Sequence, residues 1–146
     1  MSFVLGILAL SLLSGGEVPP IATQSSSPGV AMAAPAVSES AAVRSAREWL
    51  VLGDQGRWKD GWLGTSESFR KVNTVERWSE VSQQVRVPLG ALISRTLLSQ
   101  DSVPAPPAGV EVVKFRTSFA NKADAIETVS LAREGGDWRV VGIYLD

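Results

Sequence analysis

The sequence predicts an α+β fold, with N-terminal helices packed on one face of an antiparallel sheet of about four strands. Apolar residues recur at helical spacing between Ser38 and Pro88. Three later segments alternate apolar and polar side chains with the period of two that marks half-buried strands. This order, helices first and then a meander of strands, is the one expected when helices cover one face of an antiparallel sheet.

The first two predicted helices carry three of the tryptophans. The first follows an N-cap at Ser38 and ends at Gly53, a residue type that favours helix termination. A short second helix, for which Asp54 is a suitable cap, carries Trp58 and Trp62 one turn apart. The apolar residues of the first helix are Ala42, Ala46, Trp49 and Leu50.

A third helix is predicted after an N-cap at Thr74, and it ends before Pro88 because the residue preceding proline disfavours the helical conformation. An apolar, strand-like segment follows at residues 89–98 and carries Arg95. Residues 100–109 include three prolines and are predicted to form a connecting loop. The apolar stripe of the third helix comprises Val75, Trp78, Val81 and Val85.

The remaining residues predict a three-stranded meander whose turns define a register. A Gly-Gly pair at positions 135–136 suits a two-residue hairpin, and it places Glu127 opposite Tyr144. Residues 120–124 suit a five-residue hairpin loop, and this places Thr117 opposite Glu127. Both turns put the apolar side chains of all three strands on one face, and a slip of one residue would invert that face. The predicted strands are residues 110–119, 125–133 and 138–145.

One acidic residue, Glu127, lies on the apolar face of this predicted sheet. A carboxylate in such a place is costly unless it is paired or hydrogen-bonded. One interpretation is a structural network with the hydroxyl groups of Thr117 and Tyr144. The other is a ligand-facing group in a pocket between the sheet and the helices. Arg95 is a suitable ion-pair partner in either case, although a buried pair by itself indicates neither stability nor function.

The composition of the 146 residues excludes several kinds of chemistry. The chain contains no cysteine and no histidine, so it lacks thiolate nucleophiles, Ser-His-Asp triads and the common zinc ligands. Carboxylate-based hydrolysis and carboxylate-bound calcium or magnesium stay open. We expect no metal and no cofactor, because Asp54 and Asp60 lack a third oxygen ligand at calcium-loop spacing. The net charge of −1 is evenly distributed, which argues against nucleic acid as a partner.

The N-terminal region predicts export. Residues 1–16 form a signal-like hydrophobic segment that is too short to span a bilayer, and residues 17–37 form a disordered linker of Pro, Ser, Ala and Gly. Residues 38–146 form a single α+β domain. We therefore expect a periplasmic or secreted protein without a stable membrane span in its mature form. The oligomeric state does not follow from the sequence.

Five tryptophans stand against a single tyrosine. Four of them lie on predicted helices that face an apolar sheet, so a role in the core is the simplest interpretation. Stacking on sugars or aromatic ligands is the functional alternative. They are Trp49, Trp58, Trp62, Trp78 and Trp138.

Several segments resemble an uncharacterised bacterial family, domain of unknown function 4019. They are VRVPLGALISR at residues 85–95, FRTSFANK at residues 115–122 and WRVVGIY at residues 138–144. The resemblance implies a short exported protein with an α+β domain, comparable to cystatin-like or nuclear-transport-factor-like rolls, whose cavity hosts a ligand or an active site. The matching positions are Arg86, Arg95, Thr117, Lys122, Glu127 and Tyr144.

These observations favour a non-enzymatic exported or envelope module that binds a small ligand or a protein partner in the concavity between helices and sheet. One alternative is a cone-fold hydrolase or isomerase that uses Glu127 as an acid or base. Another is an inhibitor or immunity-type protein that acts through a flat surface with an exposed apolar patch.

Overall fold

A computed structural model describes residues 38–146, and both the predicted signal-like segment and the predicted linker lie outside this range. The described residues form helices followed by a four-stranded antiparallel sheet, which confirms the α+β prediction. The helices are α1 (Ala41–Asp54), α2 (Trp58–Leu63), α3 (Glu67–Val72) and α4 (Val75–Arg86). The strands are β1 (Leu92–Val103), β2 (Val110–Phe119), β3 (Lys122–Glu134) and β4 (Asp137–Leu145).

Side-chain caps determine where three of the helices begin. The hydroxyl oxygens of Ser40, Ser66 and Thr74 each accept a hydrogen bond from a backbone N–H in the first turn of α1, α3 and α4. The cap predicted at Thr74 is therefore confirmed, whereas α1 begins after Ser40 instead of Ser38. Helix α3 was not predicted, because its sequence lacks a clear apolar stripe.

The predicted role of Asp54 as a helix cap is wrong. Helix α1 continues through Gly53, and Asp54 is its last residue. Helix α2 follows Arg57, whose side chain makes no capping hydrogen bond. The carboxylate of Asp54 is thus free to interact elsewhere, which matters for the site described below.

The sheet has the strand order β1-β2-β3-β4, so β1 and β4 are its edges. Helix α1 packs against the inner face of the sheet, and the buried core lies between them. This core comprises Val43, Ala46 and Leu50 of α1 with Val113, Phe115, Val129, Leu131 and Val140 of the sheet. Strand β1 extends to Val103 and thereby includes part of the region predicted as a loop at residues 100–109.

The turn predicted between β3 and β4 is confirmed. Gly135 and Gly136 have φ angles of 58° and 89°, as a tight hairpin with left-handed residues requires. Leu131 pairs with Val140 as predicted, but an irregularity after Ser130 then shifts the register by one residue. Glu127 consequently pairs with Leu145, and its predicted pairing with Tyr144 is wrong.

The turn between β2 and β3 is tighter than predicted. Phe119 pairs with Lys122, so the five-residue loop is wrong and every later pair is displaced by two residues. Thr117 therefore lies opposite Ala125, and Glu127 lies opposite Phe115. Because side chains alternate with period two, a shift of two residues leaves each of them on its predicted face.

In the part of the chain that the structure describes, no helix has the length and apolar character needed to cross a membrane.

Candidate functional site

Glu127 lies on the inner face of the sheet and is 5% exposed, as the sequence predicted. Its carboxylate accepts two hydrogen bonds from the guanidinium of Arg95, at 2.6 Å from Nε and 3.0 Å from Nη2. The hydroxyl of Thr117 donates a further hydrogen bond of 2.6 Å to Oε2. The predicted partnership between Arg95 and Glu127 is thus confirmed, and Thr117 joins it from a diagonal position in the sheet.

The ion pair continues into the helical layer through Asp54. Arg95 donates from Nη1 and Nη2 to the two carboxylate oxygens of Asp54, at 2.7 and 3.1 Å. Arg86 donates to Oδ1 of the same carboxylate from Nε and Nη2, at 3.2 and 3.1 Å, and from Nη1 to the carbonyl oxygen of Gly90 at 2.6 Å. We call this cluster of Asp54, Arg86, Arg95, Thr117 and Glu127 the charge chain.

The charge chain contains two carboxylates and two guanidinium groups, so its formal charges cancel. Burial lowers the pKa of the Arg95 guanidinium, but its hydrogen bonds to Asp54 and Glu127 outweigh that effect and raise the pKa above its ordinary value. The guanidinium carbon of Arg86 also lies 4.5 Å from the centre of the Phe119 ring, a favourable cation–π distance. Each of the four charged side chains in the charge chain therefore has at least two interaction partners.

Two of the predicted site residues do not join this cluster. Tyr144 pairs with Thr128 on β3, and its side chain is 65% exposed, so its predicted hydrogen bond to Glu127 is not formed. Lys122 is the first residue of β3 and is exposed beside the tight β2–β3 turn. The register shift between β3 and β4 explains why the Tyr144 side chain does not reach the carboxylate of Glu127.

A groove of about 290 Å³ lies above the charge chain, between the helices and the end of the sheet. Its walls include the indole rings of Trp49, Trp58 and Trp78. Asp54 and Glu127 are among the few polar groups that line it, together with Arg86. The space above Glu127 is thus open and mostly apolar, with charged groups at one point.

Two tryptophans of the groove donate hydrogen bonds from their indole nitrogens, and the third accepts one of these bonds at its backbone carbonyl. Trp49 donates from Nε1 to the carbonyl oxygen of Gly61 at 2.8 Å. Trp78 donates from Nε1 to the carbonyl oxygen of Trp58 at 3.0 Å. Trp62 and Trp138 do not line the groove. The interpretation of tryptophans as core is therefore incomplete, since three of them are only partly buried and line the groove.

A second hollow of about 310 Å³ continues the groove along α4 and β4. The two share Trp78, Val81 and Ile143 as lining residues. The stripe predicted on α4 faces this space, and Val81 and Val85 are 38% and 48% exposed. In the described part of the chain, α4 has no buried residue, although its sequence is amphipathic.

The hydrogen bonds that the carboxylates accept limit the chemistry available at the site. Both oxygens of Glu127 already accept hydrogen bonds, and protonation of the carboxylate would break its ion pair with Arg95. Oε2 accepts two of these bonds and Oε1 accepts one, so Oε1 keeps one lone pair for a further donor. Within residues 38–146, the acidic side chains do not gather in threes as metal ligands would.

Asp54 is the member of the charge chain that sequence reasoning did not recognise. A carboxylate in the last turn of a helix is disfavoured by the helix dipole, and the last turn of α1 holds no basic residue to offset it. Such a position suggests that the carboxylate has a partner elsewhere in the fold. This signal was present in the sequence, but Arg86 and Arg95 as its partners require the tertiary structure.

Comparison with known proteins identifies a family. No curated protein matches the sequence. The segments at residues 85–95, 115–122 and 138–144 all fall in the matched region or extend one residue beyond it. Residues 45–143 match the family described as protein of unknown function (DUF4019), and the chain belongs to that family.

Proposed function

We propose that the domain is a non-enzymatic binding module that holds an apolar or aromatic group of a small ligand or protein partner in the groove. The observation that carries this proposal is the groove of about 290 Å³, walled by Trp49, Trp58 and Trp78 above the charge chain. Binding sites in proteins are mostly apolar concavities with a few fixed polar groups. The volume suits one ring system or one large side chain.

The walls of the groove are suited to stacking. Indole rings offer large rigid surfaces at a small cost in conformational entropy, and stacked aromatic pairs are favourable by about 0.5–1.5 kcal/mol beyond area burial. The hydrogen bonds of Trp49 and Trp78 hold these two rings in fixed positions. A fixed binding surface reduces the ordering cost of association.

The test is a titration of the full chain with two fluorescent probes, anilinonaphthalene sulfonate and naphthol. Val85 lines the groove and is 48% exposed, so Val85→Phe adds bulk to the groove without disturbing the core. We expect this substitution to weaken the binding of both probes by about tenfold, because the added ring occupies the space they need.

The matched control is Val72→Phe. Val72 is 81% exposed at the end of α3 and is absent from both parts of the groove. This variant adds the same ring to the surface, and probe binding should be unchanged. The proposal would fail if neither probe binds the unmodified chain, or if the two variants behave alike.

We also propose that the protein is exported to the periplasm or secreted. The support is the apolar run at residues 3–13, followed by small residues that suit signal cleavage. Fractionation of the native cells, with N-terminal sequencing of the isolated protein, tests this proposal. A cytosolic protein that retains Met1 would contradict it.

The enzymatic alternative draws less support from the geometry. A hydrolase or isomerase would need Glu127 to exchange a proton with a substrate, but this carboxylate is bound by Arg95 and Thr117. A neutral Glu127 would leave Arg86 and Arg95 to share the carboxylate of Asp54, and the resulting excess of one positive charge is costly in a buried place.

An inhibitor or immunity-type function has one specific observation in its favour. The edge strand β1 carries exposed apolar side chains, and Ile93 at 68% is the most exposed of them. The others are Leu92, Leu97, Leu98 and Val103. An edge of this kind is a surface for protein contacts. If a purified partner protein is found, loss of binding in Ile93→Lys with retained binding in Val85→Phe would favour this function over groove binding.

A further inference from the structure

Within residues 38–146, the outer edge of β4 has backbone groups beyond Val140 that make no hydrogen bond. Asp146 and Ile126 exchange two backbone hydrogen bonds, of 3.0 and 3.1 Å. Because hydrogen-bonded pairs alternate in an antiparallel ladder, Tyr144 also directs its N–H and C=O towards β3. Ile143 and Leu145 therefore direct theirs away from the sheet, on the side where the groove opens.

Residues 64–66 already pair with the same edge of β4, at Val140. Val140 donates to the carbonyl oxygen of Gly64 at 3.1 Å, and Ser66 donates to the carbonyl oxygen of Val140 at 2.8 Å. Thr65, between them, forms a parallel bridge with Val140. The edge of β4 thus pairs with an extended backbone at Val140. The unpaired part of this edge lies beyond Val140, towards the end of β4.

Several side chains around this edge are apolar and at least partly exposed within the described residues. Ile143 and Leu145 line the groove from the sheet, and Val81 and Val85 line it from α4. Helix α4 packs on α1 and α2, and a hollow separates it from β4. A strand added to β4 would lie at the mouth of this hollow, and its inward side chains would meet α4.

We propose that an extended peptide segment of a partner protein adds to β4 as a further strand and inserts an apolar side chain into the groove. This inference rests on the proposed function, since the inserted side chain is the ligand of the tryptophan walls. Ile143 and Leu145 are two residues apart, so the paired stretch is roughly 7 Å long and involves about three peptide residues. The free N–H and C=O groups select an extended backbone, and the groove selects an apolar side chain.

A second copy of the chain fits this edge less well than a single peptide. In a second copy, the inward side chains of β4 already face their own α4. They could not also lie beneath α4 of the first copy. A peptide without its own helical layer has no such conflict.

Amide hydrogen exchange of the full chain tests the proposal directly. The probe is an acetylated and amidated peptide that alternates threonine with leucine or phenylalanine, and exchange is followed by NMR with and without it. We expect the amides of Ile143 and Leu145 to exchange at least roughly tenfold more slowly in the complex. The amide of Tyr144 should change little, because it is already bonded to β3.

A second peptide provides the control for strand addition. It has the same side chains but carries N-methyl groups on the backbone nitrogens that would face β4. Its binding should be at least roughly fivefold weaker, as expected for the loss of a hydrogen bond. Equal binding of the two peptides, or binding without protection of Ile143 and Leu145, would overturn the inference.

Two variants of the protein test strand addition by changing β4 instead of the peptide. Leu145→Pro removes a donor that faces the groove and leaves the ladder with β3 intact, since proline is tolerated at such positions of an edge strand. Leu145→Val keeps the donor and loses a similar amount of side chain. Weaker peptide binding in Leu145→Pro than in Leu145→Val supports strand addition, and equal binding contradicts it.

The outcomes separate this inference from the proposed function. Binding of anilinonaphthalene sulfonate without binding of any alternating peptide overturns strand addition and leaves groove binding standing. Failure of both probes and peptides contradicts both proposals. Protection of Ile143 that increases with protein concentration in the absence of peptide identifies a second copy as the occupant and overturns the partner peptide.

Discussion

Among single residues, Glu127 is expected to contribute strongly to stability. Its side chain is 6% exposed and that of Arg95 is 4% exposed, so the pair is shielded from water. Glu127→Ala leaves Arg95 with one carboxylate partner in a buried place. We expect the free energy of unfolding to fall by about 3–5 kcal/mol, measured by urea denaturation.

The control for this prediction is an exposed ion pair. Arg77 and Glu80 lie 3.7 Å apart on α4 with side chains 69% and 60% exposed. Glu80→Ala should change the free energy of unfolding by less than about 0.5 kcal/mol. If Glu127→Ala costs no more than Glu80→Ala, the charge chain does not stabilise the fold.

A pH-dependent contribution is expected from Glu111. Its carboxylate accepts hydrogen bonds from Gln100 at 2.7 Å and Ser102 at 2.6 Å, and these lower its pKa below the ordinary value of 4.5. A lowered folded-state pKa stabilises the protein above the unfolded-state pKa, and this stabilisation is lost as pH falls through the folded-state value.

The measurement compares the unmodified chain with Glu111→Gln by thermal unfolding at a series of pH values. The difference in stability should be largest near neutral pH and should decrease below about pH 4.5. A difference that stays constant over the acid range would show that ionisation of Glu111 does not matter to folding.

At the scale of elements, the β3–β4 hairpin allows a prediction from the backbone alone. Gly135 and Gly136 have positive φ angles, and no atom lies within 4 Å of the position that a Cβ would take at either one in the described structure. Gly136→Ala should destabilise the protein by about 1–2 kcal/mol, because the left-handed conformation is unfavourable for alanine. Gly135→Asn should be close to neutral, since Asn-Gly is favoured in this turn.

Thermal unfolding of the two variants checks this prediction. The opposite order, with Gly136→Ala neutral and Gly135→Asn destabilising, would mean that the hairpin adopts another turn.

The sequence predicted the elements better than it predicted their pairing. Periodicity and capping residues located most helices and all strands, including the cap at Thr74. The β2–β3 pairing was wrong because composition does not distinguish a tight turn with an irregular pair near Phe119 from a longer loop. The inward faces of β2 and β3 were still correct, since the error was two residues and side-chain direction repeats every two residues. In β4 the error was one residue, so Ile143 packs against the core instead of Tyr144.

At the scale of the whole molecule, the predicted domain boundary at residue 38 can be tested by truncation. A chain that begins at Ser38 keeps the Ser40 cap and the ion pair between Glu39 and Arg47. Its free energy of unfolding should match that of the full chain within about 0.5 kcal/mol, with the same denaturant dependence.

A chain that begins at Ala42 is the matched comparison. It lacks the Ser40 cap and should be less stable by about 1–2 kcal/mol. Equal loss of stability in both truncated chains would place the boundary of the domain before residue 38.

The candidate site was predictable in part, for a physical reason that applies to the molecule as a whole. Glu127 violates the alternation of its own strand, so its sequence context alone marks it as unusual. Arg95 was recognised for the same reason. Asp54, Arg86 and the groove depend on how α1 and α4 pack, and local periodicity carries no information about that packing.

The charge chain joins α1, α4, β1, β2 and β3, and its members span residues 54–127. If α4 were displaced by one turn, Arg86 would leave Asp54, and the remaining charges would no longer balance in a region sheltered from water. A small displacement of α4 is therefore more unfavourable here than it would be at a purely apolar interface, which tolerates such shifts. The charge chain therefore favours one position of α4 on the domain over neighbouring positions of similar shape.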